Sequence, residues 1–276
     1  VLRQRVFTAL TLILIAVGAL IWSSAAFALV ATAVLGFALA EWLQLTGTTK
    51  KVSVIVALSV AVILIVMLVA ARDVIALAVL PLAALASAIW IIIVVLVMHP
   101  GAMTFRLPPL AGMTLAVVLV LAAWLALMQL LLQGAAMLLS VLLIVWIADT
   151  AAYFAGRAFG RRKLAPHISP GKTWAGVAGA ILAVLLAALI IRQFFPVATI
   201  YSNHLFATIG VLATLLILMM LVALSVIGDL FESLLKRQAG VKDSSQLLPG
   251  HGGVLDRVDA MVPLLPAAVL IQWLVR

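Results

Sequence analysis

Eight acidic residues are spread along a chain of 276, and five of them gather in one short stretch: Asp229, Glu232, Asp243, Asp256 and Asp259. If one helix carries the first two, Asp229, Ser233 and Arg237 share a face at i, i+4 and i+8, and Glu232 with Lys236 forms an adjacent i, i+4 pair. Oxygen-bearing side chains one turn apart, such as Asp229 and Ser233, make half a site for Mg²⁺, a hard cation that prefers oxygen ligands. The Glu232–Lys236 pair reads equally as an ordinary surface ion pair. Asp256 and Asp259 follow at i, i+3, spaced either to add ligands or to favour a helix N-terminus. Asp149, in Ile147-Ala148-Asp149-Thr150, is either a further functional acid or a helix-end carboxylate paired with a loop arginine. The chain has no cysteine and only four histidines, at 99, 167, 204 and 251. Thiolate ligands and nucleophiles are excluded and a soft-metal site is disfavoured, so oxygen-held cations are the chemistry to expect.

Basic and glycine-rich segments lie between these acids. Leu248-Pro249-Gly250-His251-Gly252-Gly253-Val254 can turn sharply and present backbone N–H groups around Gly252 and Gly253 to an anion. Ser169-Pro170-Gly171-Lys172-Thr173 has the ending of a Walker A loop, but the glycine required five residues earlier is Pro166, and no strand is expected before it. What remains is Lys172 at the mouth of a helix, backed by Arg161, Arg162 and Lys163, where a phosphate could be met. For that triplet, snorkelling and topology signalling suffice.

The elements that must position these residues are membrane helices. The chain is 67% hydrophobic and 9% charged, with a mean hydropathy of +1.39, far from the composition of a water-soluble domain. Apolar runs predict an all-α, polytopic integral membrane protein of eight to nine transmembrane helices. The spans fall near residues 6–22, 25–43, 52–71, 74–97, 110–132, 135–154, 174–191 and 205–228, with a short, proline-containing ninth at 261–275. A signal peptide ending near Ala31-Thr32-Ala33 is the lesser reading of the N-terminus, because a second apolar segment follows Ser23-Ser24 at once. Orienting the N-terminus inward leaves only Arg72, Arg192 and Arg276 of the 17 basic residues outside, as the positive-inside rule requires. The net charge of +9 is explained by that bias, and nucleic-acid binding is not expected. Residues 1–135 hold two acids, Glu41 and Asp73, and read as a transmembrane scaffold; residues 136–276 read as the catalytic region with its cytoplasmic loops. A cation- or proton-coupled transporter built on Asp149 and Asp229 is the alternative from another class.

The stretch from Ser233 to Asp259, running through Lys236-Arg237, Lys242-Asp243-Ser244-Ser245-Gln246 and Leu248-Pro249-Gly250-His251-Gly252-Gly253-Val254-Leu255-Asp256-Arg257-Val258-Asp259, resembles the signature of the phosphatidate cytidylyltransferases, or CDP-diacylglycerol synthases. Asp149-Thr150-Ala151-Ala152-Tyr153 and Ser169-Pro170-Gly171-Lys172-Thr173-Trp174 are similar to two shorter segments of that family. The resemblance implies CTP and phosphatidic acid as substrates and a homodimer, while the charge distribution predicts a multi-pass protein of the inner (cytoplasmic) membrane with the site facing the cytoplasm. The resemblance also implies Mg²⁺ on Asp229 and Asp256, with potassium the candidate for a second cation. Lys172, Lys236, Arg237, Lys242 and Arg257, with Gly252 and Gly253, are then the substrate-binding candidates, and Asp149, Lys172, Ser233, His251 and Asp259 the catalytic ones. A CTP-dependent polyprenol kinase would share the setting and the nucleotide.

Overall fold

A backbone in hydrocarbon must satisfy its N–H and C=O groups internally, so successive apolar runs joined by short turns fold as packed helices. The computed structural model, which describes residues 2–70, 72–99 and 101–276, has that form. In order it contains α1 (Leu2–Trp22), α2 (Ser24–Leu45), α3 (Lys50–Ala70), α4 (Arg72–Met98), α5 (Pro109–Leu132), α6 (Ala135–Phe159), β1 (Lys163–Ala165), β2 (Ser169–Thr173), α7 (Trp174–Phe194), α8 (Tyr201–Gln238), α9 (Leu255–Val258) and α10 (Met261–Leu274). Among the described residues eight segments are long and apolar enough to cross a membrane: α2 to α8, and Leu255–Leu274; the apolar part of α1 among them, Leu10–Trp22, is shorter. The chain is a multi-pass membrane protein. Ala71, the expected end of the third span, and the side chains of Arg3, Arg5, Arg72 and Asp73, used above for orientation, lie outside the described residues.

Local chemistry explains several boundaries. Ser23 caps α2 by accepting from the Ala26 N–H at 3.0 Å, and Thr173 caps α7 by accepting from the Gly176 N–H at 3.1 Å. The small residues of 175–180 serve close helix packing: a Cβ on Gly176 would come within 3.0 Å of the Ala152 carbonyl, and one on Gly179 would overlap the Ala155 methyl.

Three elements differ from expectation. The region before Lys172 holds a small antiparallel hairpin, with Lys163 opposite Thr173 and Ala165 opposite Ser169. A strand therefore does precede Gly171, yet Lys172 lies within the second strand rather than in a phosphate loop, and the hairpin is the only sheet among the described residues. The second difference is α8, which runs ten residues past Gly228. As one straight rod its 38 residues would reach about 57 Å, nearly twice the hydrocarbon thickness. It breaks at Gly210, whose φ of +76° only glycine adopts readily, and its last turns carry Asp229, Glu232, Lys236 and Arg237. Third, the short final stretch is central: α10 packs on α4, α5, α6 and α8, and Val262 to Val269 are all buried. The Tyr201 hydroxyl donates to the Ala268 carbonyl at 2.9 Å, and Gln133 and Gln272 exchange amide hydrogen bonds at 3.1 and 2.6 Å, pinning α10 from two sides.

Candidate active site

The C-terminal ends of α2, α4, α6 and α8, the hairpin and α9 meet at one end of the bundle. Arg106 and Gln238 tie the α4–α5 loop to the end of α8: Arg106 Nη1 donates to the Gln238 carbonyl at 3.1 Å, and Gln238 Nε2 donates to Phe105 at 2.6 Å. Trp42 and Trp90 each set a ring edge against Phe231, with centroids 5.7 Å apart. This aromatic wedge fixes the rotation of α8 and hence which residues of its last turns face inward.

Gly228 is the point of closest approach. A Cβ there would lie 2.5 Å from the Asp259 carbonyl oxygen and 2.8 Å from Pro263 Cγ, so the α9–α10 junction packs directly on α8. The consequence is a convergence that spacing alone could not give: carboxylate oxygens of Asp229, Glu232 and Asp259 lie within 4.8 Å of one another. Ser233 donates to Asp229 at 3.4 Å, as the i, i+4 reading anticipated. Lys172, projecting from the hairpin, reaches Asp229 at 2.6 Å and the Val226 carbonyl at 3.3 Å. Asp149, on α6, interacts electrostatically with Asp229, Lys172 and Arg257, and Asp259 with Asp229, Lys172 and Asp149.

Asp256 occupies a different place. Lys236 bridges it, at 2.5 Å, to Glu232. Its second oxygen accepts from the Gly253 N–H at 2.8 Å, the Ser244 N–H at 3.0 Å and the Ser244 hydroxyl at 2.8 Å. Asp256 is thus joined to the Asp229 cluster through Lys236 and Glu232, whereas Glu232 and Asp259 are the acids that adjoin Asp229 directly. The glycine-rich turn forms as expected, with φ of +76° at Gly250 and +81° at Gly252. Yet the Gly253, Val254 and Leu255 N–H groups point at carboxylates of the chain itself, Asp256 and Glu41. His251 lies in this turn, and its carbonyl accepts from Arg257 at 2.6 Å. Arg237 turns away to the hairpin, donating to Ile168 at 3.3 Å, and Lys242 is exposed.

Two residues escaped sequence reasoning. Glu232 reads from spacing as a surface ion pair but is 3% exposed. Glu41 reads as scaffold but is 5% exposed and holds the loop before α9. The signal for Glu41 was its being a lone acid inside an apolar span, where a carboxylate is costly and usually has a specific partner.

Oxygen donors at this spacing suit a hard cation rather than a soft one, and the lysines and arginine around them suit phosphate. Fold and site together define a membrane-embedded helical bundle that gathers carboxylates and basic side chains at one end. Residues 3–275 match the Cytidylyltransferase family. A Pseudomonas aeruginosa phosphatidate cytidylyltransferase is 37% identical over 286 aligned positions, covering 99% of this chain and 97% of that one. The Haemophilus influenzae phosphatidate cytidylyltransferase is 48% identical over 134 residues, 49% of this chain and 44% of its own length. One from Staphylococcus epidermidis is 42% identical over 134 residues, 49% of this chain and 48% of its own. The match therefore spans less than half the length of the latter two relatives and nearly all of the first. The chain belongs to the cytidylyltransferase family and is a nucleotidyltransferase.

Proposed function

We propose that the protein transfers CMP from CTP to phosphatidic acid, giving CDP-diacylglycerol and pyrophosphate. The observation that carries this reading is the three-carboxylate cluster with Lys172 on it, at one end of a bundle of membrane-length helices, within a chain whose residues 3–275 match the cytidylyltransferases. An oxygen of the phosphatidate phosphomonoester attacks the α-phosphorus of CTP in line, and the bond to the β-phosphate oxygen breaks. The nucleophile is already an anion, so no catalytic base is required. The obstacle is repulsion between two multiply charged phosphates, which positioning and charge neutralisation overcome.

Asp229, Glu232 and Asp259 fit Mg²⁺ by donor type and spacing, and a bound Mg²⁺ would neutralise phosphate charge. Asp256 joins that set only if Lys236 releases it, and its remaining acceptor contacts are to Gly253 and Ser244. Lys172 and Arg257 are the other cations at the cluster, and Lys242 stands at the open edge of the loop. A second cation, potassium, a homodimer, and a site facing the cytoplasm at the inner membrane belong to the same reading through the family resemblance and the basic bias of this end.

Incubating the purified protein with phosphatidic acid, Mg²⁺ and CTP tests it. Label at the α-phosphorus should enter the lipid, and label at the γ-phosphorus should leave as pyrophosphate. Lipid carrying the γ-label without cytidine would replace this reading with a CTP-dependent lipid kinase; no lipid label from either position would remove both.

A further inference from the structure

Glu41 has an environment that a scaffold residue does not need. Its Oε1 accepts from the Ser245 hydroxyl at 2.6 Å and the Val254 N–H at 3.0 Å; its Oε2 accepts from the Ser244 hydroxyl at 2.9 Å and the Leu255 N–H at 2.7 Å. All four acceptor positions of the carboxylate are occupied, and the Ser244 proton is shared with Asp256. The donors come from both ends of one loop, Ser244 and Ser245 where it leaves α8, Val254 and Leu255 where it enters α9. A Cβ on Gly253 would overlap the Glu41 carboxylate and the Ser244 hydroxyl, so the loop is wrapped on this side chain without spare room. Among the described residues no lysine or arginine pairs with Glu41. Its partners are all loop donors. The loop it closes carries Lys242, His251, Gly252 and Gly253 and leads into Arg257.

We propose that Glu41 is a positioning residue for the nucleotide site: without touching substrate, it ties the α8–α9 loop to α2 and so sets the loop's basic and glycine residues against Asp229 and Lys172. The proposal rests on the cytidylyl-transfer reading for the identity of the nucleotide. Glu41→Gln is the informative change, because each oxygen accepts one hydroxyl and one backbone N–H. A hydroxyl can rotate to meet an amide NH₂; a backbone N–H cannot, so whichever way the amide turns, the Val254 or the Leu255 N–H loses its acceptor.

The chain has no cysteine, so a single cysteine replacing the exposed Gln246 can carry a spin label in the full-length protein. Glu41→Gln should raise the label's mobility and raise KM for CTP about tenfold or more, with a smaller fall in kcat. Ser245→Ala, which removes one donor and orphans no backbone group, should move both readouts the same way by less. Unchanged label mobility in Glu41→Gln, or raised mobility with KM for CTP unchanged, overturns the proposal. If Glu41→Gln does not fold, Ser245→Ala decides: a wild-type spectrum and KM refute, and a shift in both supports. The label reports on the loop without turnover, so a wild-type protein that transfers no cytidylyl group would sink the functional reading separately.

Discussion

Asp259→Asn separates a cation site from a structural cluster, because the two make opposite predictions for stability. Asp259 has carboxylate oxygens of Asp229 and Glu232 within 4.8 Å, and its Oδ1 accepts from the Ala260 N–H at 2.8 Å. At an effective dielectric of about 20, two unit charges at that distance repel by about 3 kcal/mol, an upper bound reached only when both acids are ionised. Asparagine has nearly the same shape and removes both repulsions; the loss of attraction to Lys172 offsets part of the gain. A net stabilisation of up to about 3 kcal/mol without divalent cation follows at a pH where the acids are ionised, and at about 2–4 °C per kcal/mol for a chain of this size the unfolding midpoint in EDTA should rise there. Added Mg²⁺ should raise the wild-type midpoint, by RT ln(1 + [L]/Kd), and leave that of Asp259→Asn nearly unmoved. Cytidylyl transfer should fall by orders of magnitude. Asp256→Asn should do the reverse in EDTA: it weakens the acceptor for Lys236, Ser244 and Gly253, and loss of such charge-assisted bonds costs about 1.5–3 kcal/mol. The assay is thermal unfolding in detergent, with and without Mg²⁺, beside the labelled-CTP assay. An Asp259→Asn protein that is less stable than wild type in EDTA, or that keeps the full Mg²⁺ shift, refutes the cluster as a cation site.

Three further outcomes are expected. Lys172→Ala should lower activity more than tenfold, since a cation facing phosphate in a partly dehydrated site is hard to replace, whereas Arg161→Ala, at an exposed position, should lower it far less; equal small effects in the lipid-labelling assay would make Lys172 a topology signal only. Gly228→Ala should lose activity and lower the unfolding midpoint, because its methyl would sit 2.5 Å from the Asp259 carbonyl; wild-type turnover would show that the α8–α10 approach can relax. Single cysteines at Gln246 and at Val197, which is 94% exposed, should react with impermeant thiol reagents from opposite sides of a sealed vesicle; reaction from one side would overturn the span count between them.

The architecture was legible because hydrocarbon allows few backbone solutions, so apolar run lengths and the distribution of basic residues located the helices to within a few residues at most ends. The exceptions have local causes. Nothing in hydropathy marks where α8 stops, since its final turns are amphipathic and bury Glu232, Ser233 and Leu234 against neighbours. The central position of Met261–Leu274 was hidden by its two prolines, which signal a broken helix unless the helices packed around it are known. For the site, spacing found pairs on one element, as with Asp229 and Ser233. It could not find Asp229 beside Asp259, which depends on a missing side chain at Gly228. Glu41 and Ser244 are 203 residues apart, beyond any periodicity, and only the cost of an acid in an apolar helix pointed to the first of them.

At this end of the bundle the two lysines nearest the carboxylate cluster are each held by a carboxylate. Lys172 is on Asp229, and Lys236 is on Glu232 and Asp256. Such pairing keeps these three acids and two cations tolerable near a low-dielectric layer, where an unpaired charge is expensive. It also means that neither lysine is delivered to phosphate without leaving a carboxylate behind. Lys172 is 22% exposed and Asp229 36%, whereas Lys236 and Glu232 are 12% and 4% exposed. Breaking the outer pair uncovers a carboxylate that water can reach, while breaking the inner one strands a buried charge. Lys172 is therefore the lysine that can change partners at lower cost, and Lys236 the one that holds α8 to the loop. An enzyme built this way should lose rate in Lys172→Ala with its fold intact and lose its fold in Lys236→Ala; a stable, slow Lys236→Ala protein would reverse that assignment.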